Sequence, residues 1–328
     1  MLQTSFTKLT GCRVPIQLAA MPVVSLELAT SVAKAGGLAM FSGLRASATY
    51  LADMLDQVAA RTGARAGVNF IIRFLDKETL KTVAPRASVV EFFYGDPDPA
   101  LVELAHAGGA LACWHIGSRE EAVAAERAGC DLIAAQGIEA GGHVRGSIGL
   151  FPLLAQVLDA VQIPVIASGG IGTARSMAAA LAAGAAAVRV GTRFLAAQEA
   201  DTHPAYLEAL IHARAEDTVL TETFSVGWPD APHRVLRSCM EAVKSFPGEM
   251  VGEGAIGESK YPVPRLAPPT PNRATVGEIG AMALYAGHSV DAVKRVQPAV
   301  EIVRELSEGA ERLLAAWAPS GGIRSMST

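Results

Sequence analysis

The sequence predicts an α/β protein built as a TIM (β/α)8 barrel, with a smaller, mostly helical lid inserted after the last barrel strand. Three observations carry this. Short, continuously apolar runs recur through the first 200 residues. Helix-like runs separate them, and several end in Ala-Gly just before the next apolar run. The dinucleotide fingerprint Gly-x-Gly-x-x-Gly is absent after the first run, which counts against a doubly wound open sheet, the structural competitor.

The strand candidates, in order, are Pro15–Ala20, Leu38–Ser42, Ala66–Ile72, Ser88–Phe93, Ala110–His115, Asp131–Ala135, Pro164–Ala167 and Ala186–Gly191. Strands apolar along their whole length belong to parallel sheets buried on both faces. Tyr50–Arg61, Arg119–Ala128 and Ser176–Ala183 are among the intervening helical runs. The Ala-Gly punctuation falls at Gly36, Gly108, Gly129 and Gly184, where a glycine past a helix end takes the left-handed cap. Strands alternating with helices in this way make βα units.

After Glu199 the pattern changes. Tyr206–Ala213 reads as a helix, but no clear βα alternation follows. Residues 261–271 are proline-dense and fit neither a helix interior nor a central strand. Val290–Trp317 carries amphipathic helix patterns. The expected organisation is therefore a barrel from 1–200 plus 275–318, a lid over residues 201–274 and a flexible tail at 319–328. The closing barrel helix comes from the C-terminal run.

Half of the 328 residues are hydrophobic and 18% are charged, enough apolar material for a large core. A net charge of −4 gives no support for a nucleic-acid partner. No apolar run approaches the roughly 18 residues needed to span a bilayer. The start of the chain lacks the basic-then-apolar order of a signal peptide. Cys12, Cys113, Cys130 and Cys239 show no Cys-x-x-Cys spacing. They read as buried thiols in a reducing compartment, with no metal site and no disulfide frame. A cytoplasmic protein is expected.

Ligands of such barrels bind at the C-terminal ends of the strands. Those ends carry Ala20-Met21-Pro22, Asn69, His115, Gln136, Ser168-Gly169-Gly170 and Gly191-Thr192. After the sixth strand, the loop Gln136–Gly146 sets His143 beside Gly141 and Gly142. Glycines let a backbone approach a flat ligand closely, and a histidine there can donate, accept or carry charge. Glycine-rich turns after the seventh and eighth strands suit a phosphate. Plainer roles stay open for some of these residues. His115 could cap backbone, Met21 could pack in the core and Asn69 could cap a turn. Glu139 reads as a partner for a loop amide or for Arg145. Arg189 lies inside the eighth strand, and a buried arginine needs a partner. Glu91, in the fourth strand, is the candidate.

The motifs Gln136-Gly-Ile-Glu-Ala-Gly-Gly-His143, Ile163-Pro-Val-Ile-Ala-Ser-Gly-Gly-Ile171 and Gly191-Thr-Arg-Phe194 resemble the FMN-dependent nitronate monooxygenase family, formerly called 2-nitropropane dioxygenases. Pro15–Met21 and Gly67–Phe70 fit the same pattern. The resemblance covers nearly all of residues 1–200 and thins in the insertion. It implies a non-covalent FMN whose phosphate sits on Ser168, Gly169, Gly170, Gly191 and Thr192. It implies that Asn69 and Gln136 hydrogen-bond the ring or ribityl chain, with His115 at the ring's N1–C2=O edge. The backbone at Ala20, Met21, Gly141 and Gly142 would let the ring lie close. His143 matches the family's catalytic histidine and is expected, partly protonated, to offer a donor and positive charge to the nitro oxygens.

The activity so implied is oxidation of alkyl nitronates, such as propionate 3-nitronate, by O2 to a carbonyl product and nitrite. The motifs also resemble flavin-dependent enoyl-acyl-carrier-protein reductases and NADH:quinone reductases. An NAD(P)H-dependent flavin reductase acting on quinones or enoyl thioesters is therefore the alternative. The mildly acidic charge leans against an acidic carrier partner. A non-redox barrel binding a sugar phosphate fits the Gly-Gly-His loop less well. The assembly is open, a homodimer among the options. The sequence departs from the family pattern at Pro22-Val23-Val24, where small residues are common, and at Arg189, where a neutral amide is usual.

Overall fold

The computed structural model describes residues 2–256 and 259–317. The expected tail at 319–328 lies outside the described residues. The barrel strands are β1 Ile16–Leu18, β2 Met40–Ser42, β3 Gly67–Ile71, β4 Val89–Phe93, β5 Leu111–Ile116, β6 Leu132–Gln136, β7 Val165–Ser168 and β8 Ala187–Val190. Each lies within one residue of its expected run. From β2 to β8 each strand pairs in parallel with the next in the chain, and β8 returns to β1 with Ile16 opposite Val188. Leu38 closes the seam between β1 and β2. Its N–H donates to the Ile16 carbonyl at 2.9 Å, and its own carbonyl accepts from Leu18 N–H at 2.9 Å.

A short helix, Ser5–Thr10, precedes the first strand and was not expected from the sequence. A capping box between Thr4 and Thr7 starts it. It drives Phe6 into the barrel's lower interior, beside Leu38, Met40, Val89, Leu132 and Ile166. The larger core lies between the sheet and its outer helices. The C-terminal run packs on the outside of the barrel. Helix Ala299–Trp317 packs against helices Leu26–Ala35 and Ala174–Ala182. Gly309 makes that approach possible, since a Cβ there would lie 2.5 Å from the Ala174 Cβ. Arg193 fastens the helix to the end of β8, 2.8 Å from the Glu305 carboxylate.

The lid is not mostly helical. It holds helices Pro204–His212 and Arg237–Ser245, but also strands Thr218–Thr221, His233–Leu236, Met250–Ile256 and Ser259–Pro264. The start of the proline-dense segment, as far as Pro264, lies in the last of these, an edge strand where prolines are tolerated because one side needs no donors. A second apolar cluster, including Phe224, Val235, Met282 and Leu284, is the lid's own core. Residues Ile279 to Val293, grouped with the barrel on sequence grounds, contribute to this cluster instead. Val23 is buried in the lid cluster and Val24 in the barrel cluster, so Pro22-Val23-Val24 joins the two. Among the described residues no helix is long and apolar enough to cross a membrane.

Candidate active site

The strand ends and the lid enclose a cavity of about 300 Å³. All the residues proposed from the sequence line it: Ala20, Met21, Asn69, His115, Gln136, Gly141, Gly142, His143, Ser168, Gly169, Gly170, Gly191 and Thr192. Arg45 and Arg189 are the charged residues among the described lining.

The His143 loop is held from both sides. From the barrel, Gln136 Nε2 donates to the His143 carbonyl at 2.9 Å, and its Oε1 accepts from Arg145 N–H at 3.2 Å. That amide is thus engaged in shaping the loop. From the lid, strand His233–Leu236 pairs antiparallel with Gly142–His143. Arg234 donates through Nε and Nη2 to the Ile138 carbonyl at 3.2 and 2.9 Å. Gly141 touches the lid backbone so closely that a Cβ would fall 2.4 Å from Gly287 N. Glu139 takes the loop-amide role: its carboxylate accepts from Leu150 N–H at 3.0 Å and caps the helix beginning there. Arg145 pairs instead with Glu121 at 2.5 Å and Asp96 at 2.7 Å.

An aromatic cage surrounds the His143 ring. Trp228 stacks on it, with centroids 3.8 Å apart and planes 15° from parallel. Tyr94 meets it edge-on at 5.9 Å, and His233 and Tyr285 lie at 5.2 and 5.7 Å. His143 Nε2 is buried without a partner among the described residues. Burial, and then the neighbouring His233, lower the His143 pKa to about 3. The imidazole is therefore neutral near pH 7. This corrects the expectation of partial protonation: the sequence shows the histidine but not the hydrophobic cover that the lid places over it.

The cavity floor is polar and paired. The Arg189 guanidinium lies 2.5 Å from the Glu91 carboxylate, the partner expected for it, and Glu91 is fully buried. Asn69 Nδ2 also donates to Glu91, at 2.8 Å. His115 is buried against Phe93, centroids 4.0 Å apart. At another wall the Gly169 and Gly170 backbones are left-handed, with φ of 111° and 68°. Thr192 Oγ1 accepts from Gly287 N–H at 3.0 Å, which leaves its hydroxyl hydrogen free to donate.

Sequence reasoning missed Trp228, Tyr285 and Ser289, all of which line the cavity. A tryptophan after Gly227 and before Pro229 was the available signal for the first. Nothing local marks the other two.

A family model described as nitronate monooxygenase matches residues 44–309. The chain belongs to the nitronate monooxygenase family. The match runs through the lid, where the sequence resemblance had thinned. The chain is 32% identical over 253 residues to an octahydro-indene-carboxyl-CoA dehydrogenase of Rhodococcus jostii, covering 76% of this chain and 70% of that one. It is 29% identical over 246 residues to a probable nitronate monooxygenase of Staphylococcus aureus, covering 61% and 69%. Among solved structures it resembles FabK from Thermotoga maritima, with a TM-score of 0.80, 28% identity and coverage of 97% and 99%. It also resembles nitroalkane oxidase from Streptomyces ansochromogenes, with a TM-score of 0.74, 27% identity and coverage of 95% and 99%. This nitronate monooxygenase family member is thus a TIM-barrel oxidoreductase.

Proposed function

We propose that this family member oxidises alkyl nitronates, such as propionate 3-nitronate, with O2 on a bound FMN, giving a carbonyl product and nitrite. The observation that carries the reading is the neutral His143 in a cavity whose described lining holds no carboxylate and whose Arg189 is paired with Glu91, leaving Arg45 as the unbalanced charge of the lining. A nitronate is an anion that has already lost its carbon-bound proton. It needs hydrogen-bond donors and a wall free of negative charge, and it needs no acid with a proton to spare. A neutral imidazole meets that need. Arg45, at the mouth over the Tyr261 ring at 5.6 Å, adds attraction for an anion.

The residues suit FMN. Gly141 and Gly142 line the cavity with backbone alone, and a Cβ at Gly142 would meet nothing within 4 Å. Gly169, Gly170 and Gly191 bring backbone, and Ser168, Thr192 and Ser289 bring hydroxyls, to one end where a phosphate would be held. Buried His115 supplies a further polar group on the floor. When bound, the flavin supplies the electron acceptance and oxygen chemistry that side chains lack. The chain's own work is to hold the nitronate against it, to donate toward the nitro oxygens from His143 and to exclude water with Trp228 and Tyr285.

The likeness to FabK and to a CoA-thioester dehydrogenase supports a second reading, an NAD(P)H-dependent flavin reductase acting on quinones or enoyl thioesters. Reduction of an enoyl thioester needs a proton delivered to carbon, and His143, held neutral, carries no imidazolium proton to give. The test is to load the protein with FMN and compare two reactions. Oxygen uptake with nitrite release from propionate 3-nitronate is the expected result. Flavin bleaching by NADH with no response to nitronate would move the assignment to the second reading, and failure to take up any flavin would overturn both.

A further inference from the structure

The floor of the cavity fixes the position of one hydrogen atom. Arg189 Nη1, paired with Glu91, also stands 3.4 Å from His115 Nδ1. A guanidinium has hydrogens to give and no lone pair to receive one. The nitrogen facing it must therefore present its lone pair, so the hydrogen of the neutral ring sits on Nε2. Phe93, stacked 20° from parallel on the imidazole, holds the ring plane. Nε2 is buried and has no hydrogen-bond partner among the described residues, although His115 lines the cavity. A buried donor without an acceptor is costly, and native structures rarely keep one without a use.

We propose that Arg189 is a positioning residue: it fixes His115 as the Nε2–H tautomer, so that the floor offers one neutral, directed donor to the carbonyl-bearing edge of the bound flavin ring. The proposal rests on the flavin reading above. Glu91 has a defined part in it. Its Oε1 accepts from Arg189 and Asn69, and its Oε2 from Gln17 Nε2 at 3.3 Å, so the guanidinium charge is balanced inside the barrel. What reaches the cavity is a hydrogen-bond donor, not a net positive charge. Burial and the Arg189 charge both hold His115 well below its ordinary pKa, in keeping with a neutral ring.

The test is long-range proton–nitrogen NMR on full-length protein labelled with 15N-histidine, with and without FMN. His115 is assigned by its loss in His115→Gln. At pH 7 the expected pattern is a protonated Nε2 and a bare Nδ1, with FMN shifting the Nε2 signal more than the Nδ1 signal. In Glu91→Gln/Arg189→Met the floor stays uncharged but loses the donor to Nδ1. There His115 should become a tautomer mixture, and the midpoint potential of bound FMN should fall, a readout that a purely structural role would not move. Arg189→Lys, which keeps a donor, should restore the single tautomer. Protonation on Nδ1 in the unsubstituted protein, or a single unchanged tautomer in the double variant, would overturn the proposal. FMN binding seen by absorbance with an unmoved Nε2 signal would overturn the assigned acceptor. Absence of FMN uptake would instead overturn the flavin reading beneath it, and absorbance separates the two failures.

Discussion

Trp228, carried by the lid, lies flat on His143, carried by the barrel loop, with 3.8 Å between ring centroids. The indole removes one face of the imidazole from water, and desolvation is the main cause of the histidine's low pKa. Trp228→Leu should return the His143 pKa toward 6.5. The pH profile of kcat/KM would then gain an inflection between pH 5 and 7 that the unsubstituted enzyme lacks. Identical flat profiles for the two proteins would contradict this account.

His143 itself can be tested by a change of similar shape. His143→Asn should keep bound FMN while lowering kcat with nitronate on the order of 10²–10³-fold, the usual loss for one donor aimed at developing charge. Absorbance checks the first part and initial rates the second. Normal turnover with the cofactor retained would remove this side chain from the mechanism.

Three buried histidines tie stability to pH. An unfolded histidine titrates near pH 6.5, whereas His143 titrates at about 3 and His115 and His233 also lie below the ordinary value. Above pH 6.5 both folded and unfolded chains hold these rings neutral, and their full stabilising contribution is present. As pH falls below 6.5 the unfolded chain takes up protons that the folded one refuses. Stability should drop by about 1.4 kcal/mol per pH unit for each proton fully refused. Urea midpoints at pH 7.5 and 5.0 check this, and the expected midpoint is lower at pH 5.0.

The buried Glu91–Arg189 pair should behave as a unit. Removing one partner, as in Glu91→Gln or Arg189→Met, leaves an uncompensated charge and should cost about 3–5 kcal/mol. The Glu91→Gln/Arg189→Met double substitution should recover much of that loss. A double-mutant cycle from denaturant unfolding reads the coupling. Additive losses would show that the two do not act together.

Adjacent glycines should respond differently to alanine. At Gly141 a Cβ meets backbone at 2.4 Å from Gly287 and 2.7 Å from Ala286, with no flexible side chain to yield. Gly141→Ala should lower both stability and activity, because the displaced segment carries His143. At Gly142 nothing lies within 4 Å, and the cost is only that of φ +77°, about 1–2 kcal/mol. Thermal unfolding with parallel assays compares the two.

Much of the barrel was legible because each strand is an apolar run of its own, and the chain marks most helix ends with glycine. The Gly36, Gly129 and Gly184 backbones are left-handed, as that punctuation requires. At the repeat ending Gly108-Gly109 the second glycine takes this conformation. The partner of Arg189 was legible because a buried charge admits few neighbours. The lid was not, since its strands are short and Ser259–Pro264 carries two prolines. Nor was the state of His143: the sequence places it among glycines, but its pKa is set by Trp228 and His233, some 85 and 90 residues further on. Phe6 was missed for a simpler reason, because its helix is six residues long and shows no periodicity.

The ladder joining Gly142–His143 to His233–Arg234 makes the histidine loop a strand of the lid's own sheet. Any excursion of that sheet must therefore carry the imidazole with it, so access to the cavity and alignment of His143 share one coordinate. A lid transplanted from another family member would arrive without its matching strand, and a chimaera exchanging substrate range would need residues 139–146 moved as part of the same cassette.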